Sequence, residues 1–486
     1  MITLTALRLA FLIGPDALDG SPAYRSLSDA IRLVIADGRI SPGTRLPSER
    51  DLTAVLGTSR TTVTSAYREL KECGYLSSRR GSGSVATLPG GGGELSQHAL
   101  IPLHGRNAAE EIDLTCAILP AALGIATAYE AATAELPRWL RRGGYDAQGL
   151  PDLRETIASA YAGRGLPTDP AQIMVTSGAL SALAIVLRAL VRTGDRMLME
   201  NPTYPNALDT ATHAGARLTT LPLDDQGWDL ELLEATLRQT SPRVAYLMPD
   251  FHNPTGQLMT DTQRETAARM LRRNHTTVVV DETMADLRLS PNLSDVPRPL
   301  PFAAYDDRAV LLGSMSKSYW GGLRIGWIRA PQAMLPELLE SRATLELSSP
   351  VLEQLAATHL IQRRDEIIPE RLDRLRAQRD ALVEALRAEL PDWDVPVPAG
   401  GMSLWCRMPE RVSSALTAAA PRHGLQLAPG RSFGVDGGFE HYLRVPYGQP
   451  VEVLEAASER IAAAYREATS SPAASPALTA RGPLIA

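Results

Sequence analysis

Short apolar runs, VAYLM at 244–248, TVVVDE at 277–282 and AVLLGS at 309–314, are separated by amphipathic stretches such as ELLEATLRQT and DTQRETAARMLRRN. A run of apolar residues without polar alternation marks a strand covered on both faces, and strands linked through helices run parallel. The rhythm therefore predicts a βαβ body around a buried, mainly parallel sheet. Ligands of such sheets collect beyond the carboxyl ends of the strands, so the residues just after each run are where chemistry is expected.

Lysine usage narrows the search. Of 49 Lys and Arg residues only Lys71 and Lys317 are lysines. A chain that uses Arg wherever a generic positive charge will serve keeps a lysine where an amine is required. An amine, unlike a guanidinium, loses its proton and condenses with an aldehyde. Lys71 suits a surface ammonium, whereas Lys317 lies in GSMSKSYWGGLRIGW (313–327), directly after an apolar run.

The other strand ends carry complementary groups. TSGAL (176–180) sets Ser177, Gly178 and Ala179 at a helix start, where backbone amides and the helix dipole hold a phosphate. NPTYP (201–205) presents Tyr204 in a Pro-flanked turn, able to stack on a flat ring, and HNPTG (252–256) places Asn253 as a hydrogen-bond donor. Asp281 ends VVVD, where a protonated ring nitrogen would pair with it; Ser314, Ser316 and Lys317 end AVLLGSMSK, with Arg324 seven residues beyond Lys317. Each alone also reads as an ordinary helix start, turn or strand cap. Together, phosphate donors, a ring stacker, a ring-nitrogen partner and a lysine meet the needs of pyridoxal 5′-phosphate (PLP).

The N-terminal region has a different character. Residues 21–90 hold ten Lys/Arg against six Asp/Glu, a local +4 inside a chain of net −6, which points to a polyanion-binding module joined to an acidic body. Leu27, Ile31, Val34 and Ile35 form one apolar helical stripe. Ser48 precedes Glu49, Arg50, Asp51 and Leu52, a capped helix start, and Gly57 suits the residue after that helix. Thr58-Ser59 then caps a second helix whose first turn, Ser59-Arg60-Thr61-Thr62, suits phosphates and base edges. SSRRGSGSVAT follows as a Gly-rich hairpin, read as a β-wing.

This region resembles the winged helix-turn-helix of GntR-type bacterial regulators, through Gly43-Thr44-Arg45-Leu46-Pro47-Ser48-Glu49-Arg50-Asp51-Leu52, Ser59-Arg60-Thr61-Thr62-Val63, Gly74-Tyr75-Leu76 and Arg80-Gly81-Ser82-Gly83. The resemblance implies DNA contacts by Arg45, Ser48, Arg50, Ser59, Arg60, Thr61 and Thr62, with Arg80 and Gly81 laying the wing on the duplex.

Four consecutive glycines in LPGGGGELSQHALIPLHGRN make a flexible connector. The expected layout is a DNA-binding domain at 1–88, a linker at 89–111 and a body at 112–468. The body is divided near 340 into a large and a smaller C-terminal subdomain, and a disordered Ser/Pro/Ala tail spans 469–486. At 486 residues the chain is long enough for about three ~150-residue units. Cys73, Cys116 and Cys406 are far apart and indicate neither a disulfide framework nor a zinc site, and a reducing, cytoplasmic setting fits. The apolar stretch near the N-terminus reads as packing rather than a signal peptide, and no run is long enough to cross a membrane. No HExxH, zinc spacing or P-loop is present, so no metal is expected.

The body resembles the aspartate-aminotransferase-like, fold-type I PLP enzymes from about Ile112 to Ala468. The resemblance assigns Lys317 the internal aldimine, Asp281 the pyridine nitrogen, Asn253 the ring hydroxyl and Tyr204 the ring stack. It assigns the phosphate to Ser177, Gly178, Ala179, Ser314 and Arg324. Tyr145, in GGYDAQGLPDLR, matches a tyrosine that reaches the partner subunit's phosphate, and Arg444, in HYLRVPYG, matches an arginine that clamps a substrate carboxylate. One departure stands out. Many relatives carry a tyrosine shortly after the aspartate, whereas this chain reads Asp281-Glu282-Thr283-Met284, which counts against efficient transamination.

A winged helix joined through a Gly-rich linker to such a body is the layout of the MocR subfamily of GntR regulators. That resemblance implies a PLP-dependent transcription factor, a head-to-tail homodimer, reading a DNA operator and sensing an amine or amino acid through aldimine exchange at Lys317. The alternatives are a working aminotransferase with an accessory DNA-binding domain, and a DNA-binding protein whose body is a cofactor-free scaffold.

Overall fold

The computed structural model describes residues 4–18, 22–36, 40, 44–79, 83–87, 111–224, 227–290, 298–435 and 439–470. The expected linker (but for Glu111), the tail beyond Ser470, and Arg80 and Gly81 of the wing lie outside them. The chain divides into two compact units, the first from the N-terminal residues with Ala121–Ala131, the second from residues 111–120 and 132 onward.

In the first unit α1 (Ala6–Ile13), α2 (Ala23–Ala36), α3 (Glu49–Leu56) and α4 (Arg60–Glu72) precede a hairpin of β1 (Leu76–Arg79) and β2 (Gly83–Ala86). The predicted stripe Leu27, Ile31, Val34 and Ile35 is fully buried against α4 and the hairpin base, each side chain contributing roughly 1.5–3 kcal/mol. Ser48 accepts from the amide of Asp51 at 3.2 Å and Ser59 from that of Thr62 at 3.0 Å, so both hydroxyls cap the helices they precede. Gly57 closes α3 at φ 63°, a left-handed conformation natural to glycine. Helix α1 packs through Ala6 and Leu9 but leaves Leu7 and Phe11 72% and 74% exposed, so packing accounts for only one face of that apolar run.

The second unit is built on an eight-stranded sheet. In chain order, after a short β3 (Ile112–Asp113), its strands are β4 (Ile173–Thr176), β5 (Arg196–Asn201), β6 (Arg217–Asp224), β7 (Gly227–Trp228), β8 (Val244–Leu247), β9 (Thr277–Asp281), β10 (Val310–Ser314) and β11 (Gly326–Arg329). They lie in the order β4-β11-β10-β9-β8-β5-β6-β7. From β10 to β6 every pairing is parallel, as the apolar runs predict; β11 is antiparallel to both neighbours and β7 returns as a hairpin. The strands β4, β8 and β10 are buried along their whole length, which explains their lack of alternation.

A smaller sheet of β12 (Ser403–Arg407), β14 (Ala428–Pro429) and β15 (Tyr442–Pro446), with β15 central, packs with the long helices Arg364–Glu389 and Val451–Ser470. A two-residue strand β13 (Leu425–Gln426) pairs in parallel with β3 and ties the start of the body to this subdomain.

Candidate cofactor and effector site

The predicted residues converge. Ser177 follows β4, Tyr204 lies beyond β5, Asn253 beyond β8, Asp281 ends β9, and Ser314 ends β10 with Lys317 three residues on. Because these strands point the same way, their carboxyl ends form one edge, where a doubly wound sheet opens to ligands.

Lys317 sits in a π-helical turn, Ser316–Trp320, an irregularity common at functional positions. Its Nζ donates to the carbonyl of Ala117 at 3.0 Å. Burial, with Arg444 next in effect, pushes its amine down to about 8. Near neutral pH roughly a tenth of the amine is then neutral, far more than in an ordinary surface lysine.

Asp281 is anchored at both oxygens. The amide of Thr283 donates to Oδ1 at 2.8 Å, and the hydroxyl of Tyr246 donates to Oδ2 at 2.7 Å. Tyr246 escaped notice in the sequence because it sits inside the apolar run VAYLM. Parallel register sets it opposite Val279, two residues below Asp281 on the same face, and a tyrosine is long enough to span that rise. This bond braces Asp281 and does not replace the missing aromatic after it, whose expected place is at the ring oxygen, while Met284 is buried in the core of the smaller subdomain. Burial, then the nearby Asp281, raises the Tyr204 phenol well above its ordinary range, so it stays protonated.

Glu200 was also missed. This fully buried acid accepts from Trp228 Nε1 at 2.6 Å and from the amide of Met248 at 2.9 Å, and lies 3.3 Å from His252 Nε2. It braces the turn that carries Asn253. A single acid within the otherwise apolar MLMEN of β5 was the available signal.

At the expected phosphate cradle, Gly178 begins the helix Ala179–Leu190 at φ 113°, and a Cβ there would stand 2.9 Å from Arg324 Nη2. Only glycine permits this approach, in which Arg324, itself left-handed at φ 50°, donates to the carbonyl of Ser177 at 2.7 Å. The first amides of that helix lack helical acceptors and face the macrodipole's positive end. The hydroxyls are otherwise engaged: Ser177 donates to Glu346 Oε2 at 2.5 Å and Ser314 to Ser316 Oγ at 2.9 Å. A carboxylate bonded to this cradle was not foreseen. Tyr145 is 76% exposed.

Arg444 lies on β15, wholly buried, its guanidinium 4.9 Å from the ring centre of Phe433 and donating from Nη2 to the carbonyl of Thr115. Burial lowers it to about 10, still cationic at neutral pH. Its Nε and Oδ1 of Asn253 are buried without partners. An unmet donor at the expected carboxylate clamp, beside a poised lysine and an anchored aspartate, fits PLP and a carboxylate ligand; the orphaned atom of Asn253 is an acceptor, whereas a donor was expected there.

Among the expected DNA contacts, Arg45, Arg50, Arg60, Thr61 and Thr62 lie at the start of α3 and α4 or beside the hairpin, where Arg45 bridges Val85. Ser48 and Ser59 are occupied as caps.

A poised lysine and anchored aspartate at the carboxyl edge of this sheet, with a winged helix-turn-helix at the N-terminus, define a fold-type I aminotransferase-like body carrying a DNA-binding head. The family described as aminotransferase class I and II matches residues 132–461, and bacterial regulatory proteins, gntR family, match 23–85. The chain is 30% identical to the uncharacterized HTH-type transcriptional regulator YdcR of Escherichia coli, over 87% of this chain and 94% of that one. It is also 30% identical to the probable rhizopine catabolism regulatory protein MocR of Rhizobium meliloti, over 84% and 86%. Crystalline LysN, an alpha-aminoadipate aminotransferase of Thermus thermophilus complexed with N-(5′-phosphopyridoxyl)-L-leucine, superposes with a TM-score of 0.67 at 26% identity, covering 74% of this chain and 94% of LysN. The chain belongs to the MocR subfamily of GntR-type regulators, and its fold and structural neighbours imply PLP as cofactor. Among the described residues no helix is long and apolar enough to cross a membrane.

Proposed function

We propose that this chain is a PLP-dependent transcriptional regulator that senses an amine or amino acid by exchange at Lys317. The observation that carries the reading is the pairing, in one buried site, of an amine lowered to about 8 with a carboxylate clamp whose Nε has no partner. When bound, PLP supplies an aldehyde carbon that condenses reversibly with amines. Lys317 would hold that carbon, Asp281 the ring nitrogen, Asn253 the ring hydroxyl and Tyr204 the ring face. The helix start at Ser177–Ala179, with Ser314 and Arg324, would hold the phosphate, and Tyr145 would reach the partner's phosphate in a head-to-tail homodimer. Asp281, fixed by Tyr246 and Thr283, keeps its carboxylate aimed while the ligand changes. Arg444 selects ligands with a carboxylate, and burial strengthens that preference by removing competing water.

In this reading residues 1–88 are the DNA-reading head, 89–111 the connector, 112–468 the body with its small subdomain from about 341, and 469–486 a tail, in a cytoplasmic protein. Regulation requires the ligand to bind two states of the body with different affinity. The test uses a duplex selected from a random pool by the full-length protein, titrated with and without PLP and each common amino acid, beside Lys317→Ala. Affinity that responds in wild type and not in the variant supports the reading; identical affinity throughout contradicts it. Retention of Lys317, Asp281 and Arg444 also allows an aminotransferase, which a steady-state assay with amino acid and keto acid pairs would reveal.

A further inference from the structure

Residues 115–120 are held at three backbone carbonyls, each by a different cation. Thr115 O accepts from Arg444 Nη2, Ala117 O from Lys317 Nζ, and Pro120 O from both terminal nitrogens of Arg371 at 3.1 Å. Arg371 also donates from Nε to the carbonyl of Lys317 at 3.0 Å. It is buried, and both its acceptors are carbonyls, so these bonds are charge-assisted. The side chains of Leu114, Ala117 and Leu119 are buried in the core of the smaller subdomain, and the stretch continues from β3. Residues 111–114 before it belong to the second unit with it, whereas Ala121–Ala131 directly after it belong to the DNA-binding unit.

Arg444 has no exposed surface, and its unpartnered Nε shares an edge with the Nη2 held by Thr115. That edge is the one a carboxylate grips side-on, so a carboxylate bound there competes with Thr115 for Nη2. Lys317 likewise holds Ala117 only while its amine is free.

We infer that residues 115–120 are a strap that reports occupancy of the effector site towards the DNA-binding unit by exchanging these two ties. The inference rests on the sensing function proposed above. Without cofactor both ties stand. With Lys317 covalently engaged, Ala117 loses its partner and Thr115 keeps Arg444. When an amino acid exchanges, its nitrogen would form the new carbon–nitrogen double bond as that to Lys317 breaks, its two amine hydrogens passing to the lysine nitrogen, and Lys317 would leave as a free amine and return to Ala117. The ligand carboxylate then takes Arg444 and frees Thr115. An amine without a carboxylate restores Ala117 and leaves Thr115 held.

The test is hydrogen exchange across residues 111–119 of the full-length protein in four states: cofactor-free, with PLP, with PLP and methoxyamine, and with PLP and aminooxyacetate. Both probes displace the lysine, and only the second bears a carboxylate; absorbance recorded in parallel shows whether displacement occurred. Exchange should rise several-fold with aminooxyacetate and stay at the cofactor-free level with methoxyamine. Asp113→Ala removes the acceptor that caps the Thr115 amide at 2.8 Å and should raise exchange without any ligand. Equal exchange with both probes, once absorbance shows displacement by each, overturns the strap and leaves sensing intact. No spectral change in any state overturns the sensing reading and the strap with it.

Discussion

Lys317 and Ala117, separated by 200 residues, are joined by a 3.0 Å hydrogen bond from the lysine amine to the alanine carbonyl. Such a contact satisfies the amine without charge compensation, and burial is what lowers Lys317 to about 8 from an ordinary 10.5. Below pH 8 the native and unfolded chains both carry the proton, and the fold bears the full cost of burying it, roughly 3 kcal/mol. Between 8 and 10.5 the native state sheds it first, so stability rises with pH. Lys317→Met should therefore raise the melting temperature of cofactor-free protein at pH 7, with the gain disappearing above pH 10.5. Thermal melts across that range check it.

Glu346 takes the hydroxyl of Ser177 beside the expected phosphate cradle. A carboxylate there opposes an incoming dianion. Glu346→Gln should keep a hydrogen-bond acceptor and tighten PLP binding by roughly three- to tenfold. A PLP titration followed by absorbance measures it, and weaker binding would mean that Glu346 organises the cradle.

Tyr246→Phe preserves volume and removes one donor to buried Asp281. The expected cost is about 1.5–3 kcal/mol in denaturant unfolding, with little change for Tyr447→Phe, whose hydroxyl meets a neutral carbonyl at 3.3 Å.

In the DNA-binding unit, capping and contact separate. Ser59→Ala should cost about 1 kcal/mol of stability through the lost cap of α4. Arg60→Ala should leave the melt unchanged, weaken binding to any duplex, and lower the salt slope by about one.

Much of the fold was legible from the sequence, because apolar runs, capping hydroxyls and glycine turns act through local chemistry. VAYLM, TVVVDE and AVLLGS became β8, β9 and β10, and Ser48, Gly57 and Ser59 mark the helix ends they promised. What escaped were residues whose role exists only across strands. Tyr246 reaches Asp281 by parallel register, and Glu200 braces a turn some fifty positions later. Arg371 and Glu346 look like any charged helix or loop residue until the fold brings them to Lys317 and Ser177. The short stretch 115–120 carried no pattern, because it acts through carbonyls, which every residue has.

The most direct measurement is the absorbance spectrum of the full-length protein with PLP, wild type beside Lys317→Ala, before and after an amino acid is added. The account predicts a visible band in wild type that depends on Lys317 and moves when an amino acid with a free carboxylate exchanges. A spectrum identical in the two proteins, or one that no amino acid moves, would contradict it.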